Sequence, residues 1–200
     1  VDLPDVARRW FGADSPSHPG AAQLLAGGST LVAGTVELIE RLPSPYRAYE
    51  LTPSEIRFIF SHKGWTRVVG FHGFGIPHRV HEHLQIAALG TSHADGLFIN
   101  PAIGPTERGD PMPEAIIKSW ETLLNAGVYP PNSTIFGCFT SHPRHSGPRE
   151  VVFNALCRKN MGCSHFIVEP DSAWSGQFHS LDETRRLFES LGPIGIEPIF

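Results

Sequence analysis

The sequence has no surplus of positive charge. Sixteen lysines and arginines face 20 aspartates and glutamates, a formal net charge of −4. Nucleic-acid binding needs a basic footprint, so no nucleic-acid partner is expected. No polybasic stretch is present to meet an anionic membrane surface. No apolar run approaches the roughly 20 residues that a membrane-spanning helix requires. The N-terminus lacks the basic-then-apolar layout of a secretion signal. It begins at Val1 without an initiator Met, which reads as a trimmed or mature fragment. Cysteine is scarce. Cys138, Cys157 and Cys163 match no zinc spacing, and their odd number argues against a disulfide framework. Free thiols in a reducing, cytoplasmic compartment are the simplest account. Internal repeats and low-complexity tracts are missing as well.

What remains is the composition of a packed domain. With 40% hydrophobic and 18% charged residues over 200 positions, the chain can build one core with a small appendage. Asp5 to Phe11 reads as a short helix and Asp14 to Gly20 as turns. Leu31 to Ile39 has strand character broken at Gly34, and Pro43 to Tyr49 reads as a linker. Residues 1–50 therefore look like the tail of a preceding β domain plus its linker. They are not expected to form a core alone. Residues 51–200 form the main domain.

From Thr52 onward, strands alternate with helices. Thr52, Pro53 and Glu55 make a capping box that opens a helix to about Lys63. Strands are expected at Arg67 to Phe71, Leu97 to Asn100, Thr134 to Phe139, His165 to Val168 and Ile194 to Phe200. Helices are expected from Pro77 to Gly90, Pro113 to Ala126, Pro148 to Met161 and Asp182 to Leu191. In the first of these, Val80, Leu84, Ala87 and Ala88 are expected to face the sheet. This is the pattern of an α/β fold with a doubly wound parallel sheet, carrying a short N-terminal arm. Ligands in such folds bind beyond the carboxyl ends of the strands. The loops His72 to Pro77, Pro101 to Pro111, Thr140 to Pro148 and Glu169 to Gly176 all leave those ends.

The sharpest chemical signal is strand, glycine turn, helix start: Val68 to Phe71, then His72-Gly73-Phe74-Gly75-Ile76, then Pro77 and His78-Arg79-Val80-His81. Backbone N–H groups and a helix dipole there point at an anion. Two histidines three apart can face one bound group and stabilise charge on phosphate oxygens. Spacing alone would fit two surface histidines among eleven, and the glycine turn after an apolar strand is what tips the reading. Zinc is not expected: His78, His81 and His83 do not follow His-Glu-x-x-His, and His83 points away. Arg144 and Arg149 bracket a second helix start and could clamp an oxyanion. Gly104-Pro105-Thr106 could approach a nucleotide closely or be a structural turn. Asp171 could orient a cation or ribose or simply cap a helix.

Taken together, these segments resemble the ATP sulfurylase (sulfate adenylyltransferase) family over nearly the whole chain. Carrying the resemblance are His18-Pro19-Gly20, Leu31 to Glu37, Leu51 to Glu55 and Gly64-Trp65. Pro77 to Gln85 is similar to the family's His-Arg-Ala-His-Glu helix, and Asn100 to Asp110 to its Gly-Pro-Thr loop. Arg144 to Glu150 and Leu156 to Val168 are similar to two further runs. The resemblance implies a Rossmann-like nucleotidyltransferase of the His-x-x-His type. That family joins ATP, with Mg2+, to sulfate, releasing pyrophosphate. Catalytic roles fall to His78, His81 and Arg144. Nucleotide contacts fall to Phe71, His72, Gly73, His78, His81, Gly104, Pro105, Thr106 and Val168. Acceptor contacts fall to His72, Phe74, Arg144, Glu169, Asp171 and Ala173, and no protein-held metal is expected. Implied partners are ATP, a small anionic acceptor and, in a homo-oligomer, further copies of the chain.

The departures from the family fall where sulfate is held. Its Gln-Thr-Arg-Asn-Pro turn is replaced by His72 to Ile76, with Phe74 at the arginine, and its Gly-Arg-Asp-His-Ala-Gly loop by Glu169 to Trp174. A desolvated charge left without its partner costs about 3–5 kcal/mol. The acceptor is therefore expected to differ from sulfate: larger, less anionic, with an amine for Glu169 and walls from Phe74 and Trp174. Ordinary sulfate adenylyltransferase activity and a non-catalytic nucleotide-binding regulatory module are the alternatives.

Overall fold

The computed structural model describes residues 2–28, 30–106, 109–169 and 179–200. Two helices come first, α1 (Leu3–Phe11) and α2 (Pro19–Ala26), then α3 (Pro53–His62). The main domain continues as β1 (Val68–Phe71), α4 (Arg79–Thr91), β2 (Gly96–Ile99), α5 (Pro113–Asn125) and β3 (Thr134–Phe136). It ends with α6 (Pro148–Asn160), β4 (His165–Ile167), α7 (Leu181–Leu191) and β5 (Glu197–Ile199).

All described strand pairs are parallel, in the order β3-β2-β1-β4-β5. Strand side chains alternate between the sheet faces, and two cores result. Val68, Phe98 and Phe166 pack with Ile56 and Phe60 of α3, Val151 and Ala155 of α6, and Phe188 of α7. Val69, Phe71, Leu97, Ile99 and Ile167 pack with Ala88 of α4 and Ile116, Ile117 and Trp120 of α5. Helices thus cover both faces, as the expected doubly wound sheet requires. The chain leaves β1 toward β2 on one side and returns through β4 on the other. The crevice between the carboxyl ends of β1 and β4 is the switch point where such folds bind ligands.

Several local expectations shift. α4 begins at Arg79, not Pro77, because His78 is extended (φ −140°, ψ 173°) and acts as the N-cap. It runs past Gly90 to Thr91. Its buried stripe is Gln85 and Ala88, with His81 and Leu84 half-buried, while Val80 and Ala87 are exposed. The helix is therefore rotated, and His81 rather than Val80 faces the sheet. Strands β3 and β5 are shorter than their apolar runs. Thr52 and Glu55 form the capping box as expected.

No strand forms over 31–39. Val32 and Ile39 are 95% and 96% exposed, since a lone strand-like segment with no paired neighbour is not stable. The turn-rich stretch before residue 20 leads instead into α2, with Pro19 in its first turn and His18 Nδ1 accepting the Ala21 N–H at 3.3 Å. α1 and α2 bury Ala7, Phe11 and Ala21 in a small cluster of their own. His179 donates to the Phe11 carbonyl (3.1 Å), tying this arm to the approach to α7.

Candidate functional site

β1 delivers Phe71 and His72 to the switch point, and the turn behind them is held to its neighbours by main-chain bonds. Asn100 N–H donates to Phe71 O (2.9 Å) and Ala102 N–H to Gly73 O (2.8 Å). Phe139 N–H donates to Pro101 O and Ile103 N–H to Phe139 O, both at 2.9 Å. The loops after β1, β2 and β3 are thus zipped together beyond the sheet. Gly104 lies so close to the Ser141 carbonyl that a Cβ would sit 1.7 Å from its oxygen. Gly104→Ala should therefore displace this loop and destabilise the fold by about 1–3 kcal/mol, read as a lowered Tm in a thermal melt. An unchanged Tm would mean that the loop shifts aside at no cost.

His78 and His81 stack face to face, centroids 3.8 Å apart. The His78 N–H donates to His81 Nδ1 (3.2 Å), so His81 stands where a capping box carries glutamate. The three-residue spacing thus both caps α4 and pairs the rings. With Nδ1 accepting, the His81 proton sits on Nε2, which meets Glu169 Oε1 at 3.4 Å. Glu169 is buried and leaves β4 just after Val168. Phe71 (5.5 Å) and Trp120 (6.3 Å) wall the His81 ring.

Beside this pair lies a second group around His72, which is 1% exposed. Arg158 Nη2 reaches His72 Nδ1 at 2.5 Å and the Asn100 carbonyl at 2.7 Å. Burial first, then the Arg158 charge and a weaker push from Arg144, hold the imidazole well below 6.5, hence neutral. The Phe74 ring stands edge-on to it, centroids 4.7 Å apart. Burial pushes Arg158 down to about 9, so it stays charged at neutral pH.

His18 is likewise lowered, by burial and by His179 and His145. Both groups bind a proton more readily unfolded than folded. Their stabilisation is complete above pH 6.5 and is lost as pH falls through the lower folded-state values. Thermal melts should thus show Tm falling from pH 7 to 5, and His18→Gln should flatten part of that slope.

Of the expected residues, Phe71, His72, Gly73, Phe74, His78, His81, Val168 and Glu169 gather on the loops of β1 and β4. Arg144 acts on His72 through its charge, but its guanidinium also lies over Phe153 (4.4 Å) and donates to Ser141 Oγ (3.0 Å). The clamp expected from Arg149 is not assembled. Arg149 is exposed, and Glu150 already accepts the Arg144 and Ser146 N–H groups (2.8 and 3.2 Å). Gly104 and Pro105 line a separate cleft of about 770 Å³ together with residues of the 38–53 segment. Thr106 is exposed next to them. Asp171, Ala173 and Trp174 lie outside the described residues. His83 is exposed, away from the pair, and no cluster of three or more metal-ligating side chains occurs among the described residues. No helix of the described residues is long and apolar enough to cross a membrane.

Sequence reasoning missed Arg158 and Trp120 as site residues. Arg158 did leave a signal: it falls on the buried stripe of α6 with Val151, Asn154 and Ala155. A charge on an apolar stripe asks for a function or a partner.

Fold and site together define a doubly wound α/β domain with an imidazole pair at an anion-directed helix start. Residues 47–200 match the family described as ATP-sulfurylase, and the chain belongs to that family. It is 39% identical over 199 residues to the sulfate adenylyltransferase of Thermococcus onnurineus, covering 100% of this chain and 52% of that one. It is 41% identical over 197 residues to that of Symbiobacterium thermophilum, covering 97% and 49%. The chain thus spans about half the length of these relatives. Their names give no support to an acceptor other than sulfate. A hexameric APS kinase from Thiobacillus denitrificans shares the fold, with a TM-score of 0.61 at 20% identity, over 79% of this chain and 29% of that one.

Proposed function

We propose that this chain carries the catalytic domain of an ATP-sulfurylase-like adenylyltransferase. Residues 51–200 form that domain, and residues 1–50 belong to the end of a preceding domain and its linker. The observation that carries the reading is the stacked His78–His81 pair at the start of α4, beside the β1/β4 crevice, in a member of this family. An acceptor oxygen attacks the α-phosphorus of ATP, a new P–O bond forms, the α–β bridge breaks, and pyrophosphate leaves. Mg2+ enters with the substrate, held by the phosphate oxygens.

Such transfer needs positioning and charge stabilisation rather than a covalent nucleophile. His81 Nε2–H, with His78, donates to phosphate oxygens as charge builds on them. Glu169 Oε1 now stands 3.4 Å from that nitrogen, so the arriving phosphate takes the place of a carboxylate. Phe71, Gly73 and Val168 flank the nucleotide, Arg144 supports the acceptor side, and Gly104 and Pro105 line the separate cleft beside the 38–53 segment.

Sulfate is the acceptor that the relatives favour. A different acceptor is the second reading, carried by Phe74 in the turn and by the Glu169 carboxylate. The exposed apolar row at Val32, Val36 and Ile39 calls for cover and supports a homo-oligomer, which light scattering would detect.

The test is pyrophosphate release with Mg-ATP against sulfate, phosphate, phosphonates, carboxylates and amino-bearing acids. Release with sulfate supports the first reading, and release only with another acceptor supports the second. ATP binding without release would reduce the chain to a regulatory nucleotide-binding module.

A further inference from the structure

Arg158 is fully buried, and among the described residues its hydrogen bonds go to no carboxylate. Nη1 donates to Asn154 O (3.4 Å), Nη2 donates to Asn100 O, and the guanidinium lies over Phe139 (4.6 Å). The remaining Nη2 proton points at His72 Nδ1. A guanidinium only donates, so Nδ1 must offer its lone pair and the imidazole proton must sit on Nε2. Asn100 O, 3.2 Å from the same Nδ1, already receives a proton from Arg158. His72 Nε2 is buried with no hydrogen-bond partner among the described residues. A buried donor left unpaired costs about 1–3 kcal/mol. Here it lies at the carboxyl end of β1, in the turn where Phe74 leaves no side-chain cation.

We propose that Arg158 is a positioning residue of the acceptor site: it fixes His72 as the Nε2–H tautomer and backs that donor with a buried positive charge, so that His72 binds an acceptor oxyanion. This rests on the adenylyl-transfer reading for the word acceptor, but not for the anion site itself. Arg144 adds a second, weaker positive field. Charge missing from the turn is thereby supplied from behind it, through a neutral ring. The Phe74 ring, edge-on to His72, must turn aside for the anion to reach Nε2, and Gly75 beyond it gives the chain that latitude, while Gly73 stays tied to Ala102.

Imidazole 15N NMR on the full chain tests this, with sulfate as the probe and a non-hydrolysable ATP analogue present. His72 should show a protonated Nε2 and a bare Nδ1, and sulfate should shift the Nε2 signal. Because the ring stays neutral, sulfate affinity should be flat from pH 6.5 to 8. Arg158→Lys should weaken sulfate about tenfold while ATP-analogue affinity holds. His72→Gln, which keeps an N–H donor, should retain most of the affinity, and His72→Phe should lose it. His72→Phe keeps Arg158 in place, so the proposal stays testable if Arg158 variants do not fold. Sulfate bound equally well by His72→Phe, a proton on Nδ1, or no anion binding by the wild type would each overturn it. Absence of pyrophosphate release with a sulfate-shifted Nε2 would overturn the proposed function and leave the anion site standing.

Discussion

Replacing His78 and His81 together by alanine should lower pyrophosphate release by about 10³-fold. One preorganised donor to a developing oxyanion is worth about 10²–10³ in rate, and residues acting as a unit do not add. The pair also caps α4, so lost rate alone would not separate chemistry from folding. His81→Gln separates them. A glutamine at this position still accepts the His78 N–H, as capping boxes permit. Stability should return to the wild-type value while most of the rate stays missing. If the double variant keeps its rate within about threefold, the histidines cap the helix and nothing more.

Trp120→Ala should be the most destabilising single change, at about 3–5 kcal/mol. The side chain is fully buried and packs against Phe71, centroids 5.5 Å apart. For a chain of this size that corresponds to a Tm lower by about 10 °C. The site should suffer as well, since the indole stands against the His81 ring and against Phe71, which ends β1 next to His72. Trp120→Phe is the informative contrast. The indole N–H is buried with no partner among the described residues, so removing it with most of the ring retained should cost far less. A Trp120→Ala melt within about 3 °C of wild type would mean that α5 can settle into the gap.

The sheet was legible because each strand is an apolar run bounded by turn residues and followed by a periodic helix. The histidine pair was legible because a glycine turn between strand and helix has few other uses. What escaped was decided by tertiary context. Val80 looked like a core residue, but the extended His78 starts α4 late and turns His81 inward. Leu31 to Ile39 has the composition of a strand broken at Gly34, yet pairing needs a neighbour that no sequence pattern can name. Arg158 was hidden because its partners, His72 and the Asn100 carbonyl, lie 86 and 58 residues away. Arg149 looked like a clamp until Glu150 proved to occupy the loop amides.

The crevice has a history in time as well as a place in space. Its two walls, β1 and β4, are joined by bonds such as Val68 N–H to Ser164 Oγ, across 96 residues of chain. Closing so long a loop is entropically slow, and parallel pairings of this kind form late. A growing chain that has finished β1 and α4 already holds both histidines yet has no site. Only when α6 and β4 dock does Arg158 reach His72 and Glu169 reach His81. The same seam must part first when the molecule unravels along that boundary. A ligand bridging the β1 and β4 loops acts as a stitch across it, protecting the fold in proportion to how fully the site is occupied.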